Sequence, residues 1–96
     1  MMNLRSDEQM LIGRWITVDG SVKADPVCQR IDWLLAHKLR KVAISPQWGG
    51  WETLYQDTDD GRYWERTFPE SSQHGAGPPK LQVLTPDEAK RKYGLT

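Results

Sequence analysis

Apolar and polar positions along the chain fall into short alternating runs and one stretch of helical spacing. "LIGRWITV" (11–18) is rich in β-branched and aromatic residues and leads into "VDGS", so an extended segment ending in a turn is expected. Asp25 then precedes Pro26, an N-cap residue followed by the residue best tolerated at the first helical position. Val27, Ile31, Leu34 and Leu35 recur at helical spacing with Cys28 and Ala36 beside them, while Gln29, Asp32 and Lys38 take the other side. An amphipathic helix is predicted from Pro26.

"LRKVAIS" (39–45) reads as a strand with Leu39, Lys41 and Ala43 on one face and Arg40, Val42 and Ile44 on the other, ended by Pro46 and the Gly49-Gly50 pair. "WETLYQD" and "RYWERTF" are β-rich runs joined through "TDDG", whose Asp-Gly pair is a hairpin signal. "SSQHGAGPPKL" should be an irregular but stiff crossover: glycines tolerate unusual torsions, and two prolines fix φ and remove donors. "LQVL" makes a further strand. "TPDE" is a capping box with Glu88 reaching back towards Thr85, opening a short helix over 86–93 that Gly94 closes. The expected class is α+β: a small antiparallel sheet with a central hairpin, one amphipathic helix packed on it and a short C-terminal helix. Trp51 and Trp64 are expected in the interior against Ile31 and Leu34, and residues 1–96 as one domain whose first ten are loosely ordered.

Charge changes this picture locally. The 13 basic and 13 acidic residues cancel, so no overall field favours a nucleic acid or an anionic membrane. Between Glu52 and Glu70, however, Glu52, Asp57, Asp59, Asp60, Glu65 and Glu70 face only Arg62 and Arg66, which makes the hairpin acidic. The single cysteine, Cys28, excludes an intrachain disulfide and a cysteine-based zinc site. With Asp7 and Glu8 interrupting the N-terminal segment and no run of 18 apolar residues, a cytoplasmic protein is expected.

Candidate chemistry is sparse. "DTDDG" lacks the spacing and the terminal Glu of a calcium loop and reads as a solvated acidic turn. Glu52 and Glu65 lie on opposite arms of the hairpin, where they could form a carboxylate pair or pair with Arg62 or Arg66. A small enzyme would need these two and His74 in one pocket. His74 has no Ser-His-Asp or Cys-His partner pattern, so it reads first as structural, bonding to backbone within the loop formed with Gly75, Gly77, Pro78 and Pro79. A nucleic-acid module would need Lys38, Arg40 and Lys41 to join Lys90, Arg91 and Lys92 in one patch. The aromatic residues of the hairpin lie in a negative region, which disfavours base stacking there. No metal or cofactor is implied.

Taken together, "LIGRW", "ADPVCQRI", "GWETLYQD", "DGRYWE", "FPESSQHGAGPPKL" and "EAKRKY" resemble the immunity protein 27 family of bacterial polymorphic toxin systems, from about Leu11 to Tyr93. The most specific matches are Gly50, Trp51 and Glu52 with Leu54 and Tyr55, then Asp60, Gly61 and Arg62 with Trp64 and Glu65, then His74 to Pro79. Relatives tend to have an unbroken glycine run after the His, and here Ala76 interrupts it. The resemblance implies a non-enzymatic cytoplasmic protein that neutralises a cognate toxin by non-covalent binding, with neither nucleic acid nor membrane as a direct partner. A nuclease would suit, because its basic substrate surface would meet acidic groups such as Asp57, Asp59, Asp60, Glu65 and Glu70.

Overall fold

The computed structural model describes residues 3–69 and 77–95. Along the chain these form β1 (Met10–Ile12), β2 (Trp15–Val18), β3 (Ser21–Ala24), α1 (Pro26–His37), β4 (Leu39–Ser45), β5 (Gly49–Asp57), β6 (Tyr63–Thr67), β7 (Lys80–Leu84) and α2 (Pro86–Tyr93). Five strands make one antiparallel sheet in the order β1-β7-β6-β5-β4, and β2 and β3 form a separate hairpin. The α+β class and both helices agree with the sequence reading.

The helices begin where their caps place them. Asp25 accepts a hydrogen bond from the Cys28 amide at 2.8 Å, and Pro26 follows at the start of α1. At α2 the capping box closes in both directions: the Glu88 amide donates to Thr85 Oγ1 at 3.1 Å, and the Thr85 amide donates to Glu88 Oε1 at 2.9 Å.

"LIGRWITV" is two strands rather than one, because the chain turns inward at Gly13. The Gly13 amide donates to the Pro79 carbonyl at 2.8 Å. A Cβ at Gly13 would lie 2.5 Å from Cys28 Sγ and 2.9 Å from that carbonyl oxygen, so only glycine fits without displacing its neighbours. The β3 strand has no counterpart in the sequence reading. It follows a two-residue turn with positive φ at Asp19 and Gly20, the conformation that closes tight hairpins. Val22, its central apolar residue, is 70 % exposed, so there is no inward-facing pattern to detect.

Strand alternation divides the large sheet into two faces. Leu11, Leu39, Tyr55, Trp64 and Leu81 point towards α1 and close a core with Ile31 and Leu34. Leu54 points the other way, against Ala89 and Tyr93 of α2. The alternation predicted for β4 fails halfway. A register shift between Lys41 and Ala43 puts Ala43 opposite Leu54, and a second lies between Ile44 and Ser45.

Trp64 is fully buried as expected. Trp51 is not: it is 49 % exposed, although it shares a face with Tyr55. The core closed by α1 ends on this strand at Tyr55, and beyond it the Arg66 side chain, bonded to Thr53 Oγ1 and the Gly50 carbonyl, takes the place of helix packing. Trp51 is left at the strand's start, its ring edge-on to Phe68.

The segment before β1 is held by two arginines. Arg30 donates to Glu8 Oε2 at 2.7 Å. Arg62 donates to the carbonyls of Glu8 and Arg5, pairs with Asp60 at 2.6 Å, and lies 4.9 Å over the Trp64 ring. The Arg30 hydrogen bond holds the Glu8 carboxyl at about 2 against its ordinary 4.5, outweighing the upward push of burial. Neither described helix is long and apolar enough to cross a membrane.

Two stability experiments follow. Trp64→Ala is expected to cost about 3–5 kcal/mol in urea denaturation and Trp51→Ala less than about 1; equal costs would contradict this division of the sheet. A carboxyl group with a depressed folded pKa contributes stability that is present above its unfolded value and lost as pH falls through the folded one. The Glu8–Arg30 contribution should therefore decline from pH 4.5 to about 2. Glu8→Gln should remove that part of the pH dependence of the urea midpoint, and matching profiles would show that the pair does not act on folding.

Candidate functional site

The α2 face of the sheet is only partly covered. Ala89 and Tyr93 close over Leu54, with Tyr63 and Leu84 packed beside them. The helix has eight residues, about 12 Å of length, and cannot reach across the whole face. Beyond it Glu52, Glu65, Thr67, Lys80 and Gln82 form the floor of an open cleft of about 560 Å³ that extends past the ends of β5 and β6 to Trp48, Trp51, Phe68 and Pro69 at the sheet margin. Trp48 is 56 % exposed.

Pairing register explains the acidic floor. Leu54 lies opposite Glu65 and Thr53 opposite Arg66, so Glu52 and Glu65 share a face with Leu54 while Arg66 points to the α1 side. The expected partners, Arg62 and Arg66, are therefore not those the carboxylates meet. Both meet Lys92 of α2 instead, whose Nζ lies 2.6 Å from Glu65 Oε2 and 2.9 Å from Glu52 Oε2. Tyr93 donates its phenolic proton to the same Glu65 oxygen at 2.8 Å. Burial pushes the Tyr93 phenol up, and the bond to Glu65 adds to this. For Lys92, burial opposes the charge, but the bonds to Glu65 and Glu52 outweigh it and hold its pKa above the ordinary value. Glu52 Oε1 is sealed from solvent and has no hydrogen-bond donor among the described residues.

The hairpin tip is more ordered than a solvated acidic turn. Asp57 is buried and accepts the Asp59 amide at 2.7 Å. Asp60 accepts the backbone amide of Arg62 at 2.9 Å and its guanidinium at 2.6 Å. Burial raises the Asp60 pKa, but these two bonds outweigh it and leave the net value lowered. Asp57 and Asp60 thus shape the turn, so reversing their charge would disturb folding. Asp59, facing Lys38 at 3.4 Å with most of its side chain in solvent, presents its charge outward. Glu65 lies beneath α2 rather than on a rim. Glu70, His74 and Gly75 fall outside the described residues.

In the described part of the glycine-proline segment, Pro78 and Pro79 are buried, Gly77 is half-buried, and the Pro79 carbonyl receives Gly13. The basic residues considered for nucleic acid are partly committed: Lys38 faces Asp59, Arg40 donates to Gln56 Oε1 at 2.9 Å, and Lys92 is drawn in by the two glutamates. Among the described residues no group of His, Cys, Asp and Glu could hold a metal ion. The sequence reading missed the cleft and its Lys92 clasp. The available signal was the placement of Lys92 and Tyr93 at the end of a short helix whose apolar side is only Ala89 and Tyr93.

The family model of immunity protein 27 matches residues 17–85, which span β3 to β7 and the whole of the central hairpin. No curated protein matches the chain, and no solved structure does.

The clasp makes α2 depend on one ammonium group. Lys92→Met should lower stability by about 1–3 kcal/mol, because it leaves Glu65 and Glu52 without their counter-charge in a half-buried setting. Adding Glu65→Gln should recover part of the loss in the same urea titration. Lys92→Met at wild-type stability would mean that the shared ion pair does not hold the helix.

Proposed function

As the chain belongs to the immunity protein 27 family, we propose that it binds a cognate toxin non-covalently and so neutralises it inside the cell that makes both. The family match over residues 17–85 is the observation that carries this reading. A nuclease is the toxin class that fits the exposed charge at the hairpin tip, since a basic substrate-binding surface would be drawn towards Asp59. The acids of the tip divide the work: Asp57 and Asp60 fix the loop, and Asp59 is the group available to steer the encounter.

An enzyme built on Glu52, Glu65 and His74 is the competing reading. The two glutamates do share a face, but Lys92 stands between them and is held by both, where general acid and base work would need one carboxyl free to exchange a proton with substrate. This favours binding over catalysis.

The test is co-expression with the product of the adjacent gene. A stable complex and protection of the host cell are expected; absence of both would refute the proposal. Asp59→Lys should slow association several-fold at low salt, with the difference shrinking as salt rises, and should leave the urea midpoint nearly unchanged. An association rate equal to wild type at low salt would remove the tip from the interface.

A further inference from the structure

We infer that the open cleft beside α2 receives an arginine side chain of the toxin. This rests on the immunity reading and adds the surface and the chemistry of the contact.

Three observations meet in the cleft. First, its margin carries two tryptophans that are about half exposed, Trp48 and Trp51, and Phe68 packs edge-on to Trp51 with ring centres 5.9 Å apart. Exposed indoles beside a polar floor are the usual composition of an interface anchor, and they are an expensive way to face water. Second, the floor carries more carboxylate than its clasp offsets. One ammonium, Lys92, is shared by Glu52 and Glu65, and the Glu52 side chain keeps 19 % of its surface exposed where it lines the cleft. A cation brought by a partner is drawn to that remaining charge. Third, the volume of about 560 Å³ is open to solvent on one side and large enough for a long side chain to enter from a docked protein.

Among the side chains a protein partner can offer, arginine answers all three. Its guanidinium is planar and stacks on indole, presents several N–H donors in a fixed fork, and gives up its hydration more readily than an ammonium group does. A lysine would supply charge but not a stacking plane. A neutral donor would not match the formal charge of Glu52.

The charges around the cleft also limit the strength of the contact. Glu52 and Glu65 share Lys92, and Lys80 stands on the far strand of the floor. An incoming guanidinium therefore meets one cation already committed to the carboxylates and a second that repels it. Removing Lys80 should tighten the contact, whereas removing the Glu52 charge should weaken it, and a purely apolar contact would show neither effect.

The experiment uses the full chain and N-acetyl-arginine amide, followed by NMR at the indole N–H signals. Saturable shifts at Trp48 and Trp51 are expected with a Kd of about 1–10 mM. The affinity should fall at least about fivefold in Glu52→Gln and rise about two- to threefold in Lys80→Gln. Because Glu52→Gln also loosens one arm of the Lys92 clasp, the Trp48→Ala/Trp51→Ala protein, altered only at exposed rings, provides a second test. It should take up the amide at least about tenfold more weakly, read from backbone amide shifts around Glu52, and should dissociate from the toxin at least about tenfold faster. Equal shifts with N-acetyl-lysine amide would overturn the arginine assignment. No saturable shift, or unchanged toxin dissociation in the double-tryptophan variant, would overturn the cleft. A wild-type protein that takes up the arginine amide but fails to bind or neutralise the toxin would instead refute the immunity reading on which the cleft's partner depends.

Discussion

Everything in this fold hangs on one peptide step in β6, where Trp64 and Glu65 leave the strand in opposite directions. Trp64 goes entirely into the core that α1 closes with Ile31 and Leu34. Glu65 is thereby fixed on the other face, beneath α2, where Lys92 and Tyr93 converge on one of its oxygens. The side-chain period of a strand is two, so the indole cannot be buried without also setting which carboxylates lie below the second helix. Packing on one face and charge on the other are consequences of the same register.

The two faces are finished differently. The α1 face is sealed by apolar contact and, at its margins, by Arg62 and Arg66, whose guanidinium groups lie over aromatic rings. The α2 face is sealed at only one end. Its short helix is held partly by ionic and hydrogen-bonded contacts, and the floor beyond it stays open. Strength on one side leaves the other free to be a surface.

Most of the fold was legible because its signals are local. Asp25-Pro26, the Thr85 to Glu88 capping box and the Asp60-Gly61 turn each act through neighbouring backbone groups, and each stands where the residues indicate. What escaped depends on contacts distant in sequence. The break at Gly13 is forced by Cys28 and Pro79, and the exposure of Trp51 by the limited reach of α1. The shift in β4 reflects its pairing with β5. The candidate site was half legible: alternation put Glu52 on the Leu54 face, but only the docking of α2 could show that Lys92, rather than an arginine of the hairpin, is the partner.

The position of β1 bears on how the molecule is made. This strand is made before every other described strand, yet its neighbour in the sheet is β7, the last strand among the described residues, with Met10 opposite Gln82. The strands from β4 to β7 can assemble by successive neighbouring pairings as they emerge, whereas β1 must wait until nearly all of them have been synthesised. Until then the outer edge has no backbone partner, and the pocket around Gly13, Cys28 and Pro79 has only two of its three walls. Closure of the sheet is thus coupled to the synthesis of β7: a chain interrupted before it lacks not just that strand but the partner that orders β1.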